Sequence, residues 1–326
     1  MKVRVATLPL AVLVLVVVTL LALRLGPVDI PLAELPGNLV VRTIRLPRVI
    51  LAGLVGAALA TAGALMQTVF HNPLADPGII GVSAGASLGA VLTIVSGASL
   101  LGAWSVPAGA FAGALLTVAV VYLIASTRRA ADPATLVLVG MAVTSLMGAI
   151  ISAAVANAPH DSDLRSVMFW LNGDLVARTW GHVQVATLPI LVAIGLSWLL
   201  ARDLNVLLLG EDTAQSSGLS VKELRVMVLA LAALMTATAV AVSGTISFVG
   251  LVVPHLIRIV LGPDHRLLLP LAGVLGGTFV IGADIVARLL FQPIVLQTGT
   301  VVAFVGSPIF LYLLLRTRNS RRGLGL

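Results

Sequence analysis

Residues 47–68 read PRVILAGLVGAALATAGALMQT, and this stretch indicates most directly what kind of fold the chain adopts. Apart from Arg48 it carries no charge, and about 20 apolar residues are what one α-helix needs to cross a bilayer. The whole chain has the same character, with 59% hydrophobic and 10% charged residues and a mean hydropathy of +1.11. Such a chain cannot cover itself with a water-compatible surface, so the sequence predicts an all-α polytopic membrane protein.

Apolar segments of this length recur along the chain and predict about ten transmembrane helices, with no separate soluble domain. Gly and Pro interrupt the pattern around 69–90 and 243–262, where broken helices are expected. The predicted spans lie near residues 5–25, 47–68, 80–100, 105–127, 134–157, 182–201, 223–243, 248–262, 267–287 and 296–315.

Basic residues predict the orientation, because Lys and Arg in short loops are retained on the cytoplasmic side. With the N-terminus inside, most of the 20 basic residues fall on the inner side, including Arg128 and Arg129. Four arginines within residues 24–48 form a cluster on the outer side, against this trend. The balance predicts that both termini are cytoplasmic.

Several classes of chemistry find no support in the sequence. The absence of cysteine excludes disulfides, thiolate metal sites and a cysteine nucleophile. A P-loop needs Gly-Lys, and neither Lys2 nor Lys222 follows a glycine, so the chain is not expected to bind ATP by that route. His255 and His265 have no third ligand at useful spacing, which favours helix-end hydrogen bonding over a metal site. The sequence therefore predicts a protein that is not an enzyme and binds no cofactor or metal.

The net charge of +7 comes from basic residues scattered at segment ends. It is explained by membrane topology and not by nucleic-acid binding. Arg45 and Arg48 flank Pro47 just before the second span, and an arginine fork suits carboxylates on a docking protein. Anchoring in lipid headgroups is an equal alternative. Asp284 and Arg288 stand at i and i+4, a spacing that favours an ion pair on one helical face.

Two connecting segments have distinctive patterns. Asn72, Pro73 and Leu74 end the second span, which indicates either a constriction in a pathway or a structural loop. Residues 204–219 read as two short helical turns separated by glycine, with apolar and acidic side chains. This pattern is typical of docking into a groove of a soluble partner, or of an amphipathic segment at the lipid interface.

The second and seventh spans share runs of Ala and Thr followed by a break, at residues 60–73 and 236–254. Because they lie five crossings apart, they would run in opposite directions, as in an inverted-topology repeat. Chance similarity among small residues is the alternative. A repeat of this kind is also found in stand-alone, ion-coupled secondary transporters, for which Asp284 would be the candidate coupling carboxylate.

From about Arg45 to Phe310, these strings together resemble the FecCD-type permease family of ABC transporters, which imports iron siderophores, haem and cobalamin. The resemblance implies one permease domain over residues 1–326, with the type II ABC importer permease architecture, in the bacterial cytoplasmic membrane. It further implies a homodimer or a pair with a similar permease, two cytoplasmic ATPase subunits that bind ATP and Mg²⁺, and an extracytoplasmic substrate-binding protein.

The resemblance also assigns roles to individual residues. Those matching the family's binding-protein contacts are Arg45, Arg48 and Arg288, and those matching its cytoplasmic gate are Asn72, Pro73 and Leu74. The ATPase coupling loop would span about 203–222 and include Leu209, Gly210, Glu211, Ala214, Gly218 and Leu219. The residues expected to border the cavity are Arg165, Trp170 and Gly173. The chain departs from the family at Val295–Gly299, where the usual Glu-Leu-Pro string is missing.

Overall fold

The structure is a computed structural model that describes residues 2–126, 133–292 and 294–322. Arg128 and Arg129, on which the predicted orientation partly rests, lie outside the described residues. The longest described connection, residues 25–45, contains a 3-10 turn at Leu32–Glu34 and ends in a π-helical turn at Val41–Arg45. The described α-helices are α1 Lys2–Arg24, α2 Leu46–Val69, α3 Val82–Val95, α4 Ser105–Ser126, α5 Pro133–Ala156, α6 Asp161–Leu171, α7 Trp180–Leu199, α8 Ala201–Leu207, α9 Glu211–Ser216, α10 Val221–Ser243, α11 Val249–Leu261, α12 His265–Leu289 and α13 Thr298–Arg322.

The helices confirm the predicted all-α membrane architecture. Among the described residues, seven helices are long and apolar enough to cross a membrane, and three shorter apolar helices accompany them. Each of the ten predicted spans overlaps one of these helices. The chain is therefore an integral membrane protein of about ten spans.

The two predicted breaks are both present, and each is followed by a short helix. After α2 the chain turns at His71, which has a φ of +47°, and resumes as α3, of 14 residues. After α10 it turns at Gly244 and resumes as α11, of 13 residues. Helices of this length reach about 20 Å, less than the hydrocarbon thickness.

The centre of the bundle is formed by α2, which packs against α7, α10, α11 and α12. Small residues allow this close packing. A methyl group on Gly63 would lie 1.9 Å from the carbonyl oxygen of Gly250 on α11, and one on Gly56 would lie 2.2 Å from that of Gly276 on α12. Glycine is therefore required where these helices cross.

A single added methyl group should separate α2 from α12. Gly276→Ala would place its Cβ 2.4 Å from both the Gly56 carbonyl oxygen and the Ala60 Cβ. We expect overpacking of this kind to cost about 1–3 kcal/mol of stability, visible as a lower melting temperature in detergent. Gly282→Ala, on the same helix, has no neighbouring atom within 4 Å and should leave the melting temperature unchanged. Equal melting temperatures for the two variants would contradict this packing.

Candidate functional site

Where α2 begins and α12 ends, a buried carboxylate is held by two arginines. Arg48 donates from Nη2 to Asp284 Oδ1 at 2.8 Å and from Nε at 3.1 Å. Arg288 Nε lies 3.2 Å from Asp284 Oδ2, which confirms the expected i, i+4 ion pair. The Thr298 hydroxyl donates to Asp284 Oδ1 at 2.9 Å. Asp284 therefore ties α12 to α2 and to the start of α13.

Arg288, together with Arg45, also caps the C-terminal end of α1. Arg45 Nη1 donates to the carbonyl oxygens of Leu23 and Arg24 at 2.8 and 2.7 Å, and Arg288 Nη1 donates to that of Ala22 at 3.1 Å. The last carbonyls of a helix lack intrahelical donors and carry partial negative charge. Arg45 and Arg288 therefore satisfy helix-end carbonyl oxygens of α1.

The three predicted docking arginines are buried in the isolated chain, with exposed fractions of 6% for Arg45, 8% for Arg48 and 5% for Arg288. They line a cavity of about 370 Å³ together with Val28 and Asn38, among others. Arg288 Nη2 is buried and has no hydrogen-bond partner among the residues that the structure describes. Any carboxylate that reaches these guanidinium groups must therefore enter the cavity. Their role in docking stays a prediction.

A second cavity, of about 460 Å³, lies where the break after α10 meets the ends of α6 and α13. The Thr245 hydroxyl donates to the Leu171 carbonyl oxygen, and the backbone N–H of Gly299 donates to the Gly173 carbonyl oxygen at 3.0 Å. These bonds tie the end of α6 and the residues after it to the break and to the start of α13. Its lining combines small polar and apolar residues: Leu171, Asn172, Thr245, Ser247, Gly299, Thr300, Ala303, Phe304, Ser307 and Pro308.

The residues predicted to border the cavity lie beside this wall and not on it. Trp170 and Gly173 are buried behind Leu171 and Asn172, and Arg165 is exposed on α6. Gly173 has a φ of +68°, and a methyl group there would lie 2.3 Å from the Thr245 carbonyl oxygen. These two buried residues therefore shape the wall from behind.

Sequence reasoning missed most of the lining. Thr300, Ala303, Phe304 and Ser307 follow the i, i+3, i+4, i+7 spacing of one helical face. That periodicity in the last span was a usable signal. It was not distinguishable by spacing alone from a face packed against other helices.

At the opposite end of α2, the predicted gate residues form a compact turn. Asn72 Oδ1 accepts from the backbone N–H of Leu74 at 2.9 Å, and the Asn72 carbonyl oxygen accepts from the N–H of Ala75 at 3.0 Å. Asn72 and Pro73 are exposed and Leu74 is half-buried. Asparagine thus fixes the turn through a local side-chain bond.

The predicted coupling loop adopts the expected pair of short helices, α8 and α9, separated by Gly210, which has a φ of +105°. Leu209 is 69% exposed, whereas Ala214, within α9, is buried. The carboxylate of Glu211 pairs with Arg225 at the start of α10. The exposed apolar side chain of Leu209 thus lies next to the exposed polar face of α9.

The end of the coupling loop has a backbone that only glycine adopts easily. Gly218 has a φ of +88°, and the N–H of Leu219 donates to the Ala214 carbonyl oxygen at 3.1 Å. Proline at position 218 would require a φ near −65°. A proline substitution there would therefore break this helix end before it could report on coupling.

The structure brings the coupling loop and the gate turn together. His71 Nε2 lies 3.1 Å from the carbonyl oxygen of Leu207, the last residue of α8. About 30 Å of helix separate this end of α2 from the arginine end. The residues predicted to form the coupling loop and the gate thus lie at one end of the bundle, and the buried arginines lie at the other.

Comparison with known proteins places this arrangement in a family. The sequence model of the FecCD transport family matches residues 13–316. The chain belongs to the FecCD transport family. The match covers every predicted span at least in part.

Several curated relatives are similar over most of the chain. The cobalamin import system permease protein BtuC of Halobacterium salinarum is 46% identical, covering 87% of this chain and 75% of the relative. The hemin transport system permease protein HmuU of Yersinia pestis is 42% identical, covering 86% and 84%. The Fe(3+) dicitrate transport system permease protein FecD of Escherichia coli is 37% identical, covering 92% and 95%.

Solved structures agree with this FecCD assignment. An inward-facing metal-chelate type ABC transporter matches with a TM-score of 0.87 and 31% identity, over 96% of this chain and 99% of the other. PsaBC from Streptococcus pneumoniae, solved with a Fab, matches with a TM-score of 0.63 at 16% identity. At this identity the match shows a shared fold and nothing more. The fold is therefore that of an ABC transporter membrane subunit.

Proposed function

We propose that this chain is the transmembrane permease subunit of an ABC importer that moves a metal chelate across the bacterial cytoplasmic membrane. The observation that carries the proposal is the contact between the gate turn and α8, through His71 and the Leu207 carbonyl oxygen. A soluble partner that binds the α8–α9 pair from outside the bilayer thereby reaches the gate directly. The proposed cargo is a ferric siderophore, haem or cobalamin, and relatives named for the import of cobalamin, hemin and Fe(3+) dicitrate support this class.

The proposal includes the partners that such a subunit needs. Two cytoplasmic ATPase subunits bind ATP and Mg²⁺ and dock on the coupling loop, and a substrate-binding protein docks at the arginine end. A second copy of the chain completes the pathway as a homodimer. Both termini then lie in the cytoplasm. The missing ATP-binding motif supports a separate energy source.

A stand-alone ion-coupled transporter is the alternative, and its candidate carboxylate is already engaged. Asp284 accepts from Arg48 and Thr298 and pairs with Arg288. A coupling ion would have to displace the guanidinium groups of Arg48 and Arg288 from this buried carboxylate. The geometry therefore favours a structural role for Asp284.

Co-purification tests the proposal directly. The tagged chain, extracted from its native membrane in mild detergent, should co-purify with an equal molar amount of an ATPase subunit. Membranes that contain the chain should also bind a soluble or lipid-anchored substrate-binding protein. The recovered complex should hydrolyse ATP. Recovery of the chain alone, under conditions that preserve its fold, would contradict the proposal.

The exposed leucine of the coupling loop offers a sharper test of where the ATPase docks. Leu209→Ala removes an apolar anchor from a site that is 69% exposed in the isolated chain. We expect the dissociation constant for the ATPase subunit to rise about tenfold, a typical effect of truncating an interface anchor. Leu209→Met conserves the volume and should bind as the parent does. Equal affinities for the alanine and methionine variants would exclude Leu209 from the interface.

A further inference from the structure

A continuous line of polar side chains joins α8 to the last turn of α2. Asn205 Nδ2 donates to Asp264 Oδ1 at 2.7 Å, and Asn205 Oδ1 lies 2.8 Å from His265 Nδ1. His265 Nε2 lies 2.6 Å from the Thr68 hydroxyl oxygen. Arg258 Nη2 donates to the same hydroxyl oxygen at 2.9 Å. Five residues from four segments thus share one hydrogen-bonded line.

The donor and acceptor of each bond follow from the two charged residues at the ends of the line, Asp264 and Arg258. The Asp264 carboxylate only accepts, so the Asn205 amide nitrogen faces it and the amide oxygen faces His265. The Nδ1 atom of His265 therefore carries a hydrogen and donates it. Arg258 only donates, so the Thr68 hydroxyl oxygen accepts from Arg258, and the single Thr68 hydroxyl hydrogen faces both the Ala64 carbonyl oxygen, at 2.9 Å, and His265 Nε2. A neutral His265 satisfies the whole line from cation to anion.

Burial makes this line sensitive to a missing partner. Thr68 and His265 are both fully buried, and a buried polar group without its bond costs more than the bond itself contributes. Asn205, on α8, is half-buried at the edge of the bundle. Its hydrogen bond holds the pKa of the Asp264 carboxyl below its usual value. Asp264 thereby stays an anion that fixes the amide.

The line ends next to the gate. Thr68 lies in the last turn of α2, which ends at Val69, and the turn of Asn72, Pro73 and Leu74 follows. The backbone N–H of Asn72 donates to the Gln67 carbonyl oxygen at 3.1 Å, so the gate turn folds back on this end of α2. A displacement of Thr68 therefore moves the gate turn.

We propose that Asn205, His265 and Thr68 are positioning residues that transmit a movement of α8 to the end of α2 and so to the gate. The inference rests on the proposed function, because the movement of α8 is supplied by the ATPase subunits. The contact of His71 with the Leu207 carbonyl oxygen is a second link between the same two segments. The side-chain line differs from it in being buried and in ending on α2 itself.

Thr68 offers a matched pair of variants. Thr68→Val keeps the shape and removes the hydroxyl, whereas Thr68→Ser keeps the hydroxyl. The chain has no cysteine, so Leu74→Cys gives each copy of this chain one thiol, at the gate, and labelling is read on the band of this chain after gel separation. The measurement is the rate at which a maleimide labels this thiol in the complete complex in nanodiscs, without nucleotide and with ATP and vanadate.

With threonine or serine at position 68, we expect ATP and vanadate to change the labelling rate about tenfold, as a shift between two gate states predicts. With valine, the complex should still assemble with its ATPase subunits, and the labelling rate should respond less than twofold. An equal response with threonine, serine and valine at position 68 would overturn the proposed transmission through this side-chain line and leave the proposed gate standing. No response with the native threonine would overturn the proposed gate together with the relay.

If Thr68→Val does not assemble with the ATPase subunits, a second variant tests the same transmission. Asn205→Ala cuts the line at its half-buried end and leaves the interior of the bundle unchanged. The relay predicts the same loss of response to ATP and vanadate. A full response in Asn205→Ala would overturn the relay.

Discussion

Asp284→Ala should lower the stability of the protein by about 3–5 kcal/mol, the usual effect of removing one partner of a buried ion pair. The carboxylate is 1% exposed, and its removal leaves the guanidinium groups of Arg48 and Arg288 buried without their anion. The hydroxyl of Thr298 also loses its acceptor. Two measurements test this expectation: the thermal unfolding of the purified chain in detergent and the yield of folded protein.

The rescue of this variant is as informative as its loss. Adding Arg48→Met to Asp284→Ala removes one of the two stranded charges and replaces it with an apolar side chain of similar length. We expect the double variant to be more stable than Asp284→Ala alone, because an apolar replacement of a buried pair is often tolerated. Unfolding of Asp284→Ala within about 0.5 kcal/mol of the parent, the range of ordinary surface substitutions, would contradict the buried pair.

Arg45→Met should weaken docking of the substrate-binding protein about a hundredfold at low salt, since breaking a desolvated charge pair across an interface costs about 2–5 kcal/mol. Arg45 is the arginine chosen because it bonds to carbonyl oxygens only, whereas Arg48 and Arg288 already hold Asp284. Its charge therefore stays available to an acidic side chain that enters the cavity it lines.

The control for this prediction is Arg42→Met. Arg42 lies one helical turn before Arg45 and is exposed, so it should contribute about 0–1 kcal/mol. Salt separates electrostatic docking from a structural defect, because the parent's affinity should fall with ionic strength and that of Arg45→Met should fall less. If both variants bind with the parent's affinity and salt dependence, Arg45 does not contact the binding protein.

Much of the fold was predictable because hydropathy and helix breakers act locally. Apolar length places the spans, and Asn72-Pro73 and Gly244 mark the two breaks where the structure has them. The glycine between two short helical turns likewise predicts α8 and α9 around Gly210. These features need no knowledge of what lies across the bundle.

The remainder depends on contacts between distant parts of the chain. Arg48 and Asp284 are 236 residues apart in sequence, so only Arg288, at i+4, could be paired with Asp284 in advance. The sequence places Arg45 at the membrane face and does not show that the end of α1 covers it. For the same reason the line from Asn205 through His265 to Thr68 could not be foreseen, although helix-end hydrogen bonding was the favoured role for His265.

The central claim is that this chain provides the pathway through lipid while a different subunit provides the energy. Uptake of a radiolabelled or coloured chelate into proteoliposomes tests it most directly, with the recovered binding protein supplied outside and ATP sealed inside. The account predicts uphill accumulation with the ATPase subunits and ATP present, and none when either is omitted. Uphill accumulation by the purified chain alone, driven by an ion gradient, would contradict it.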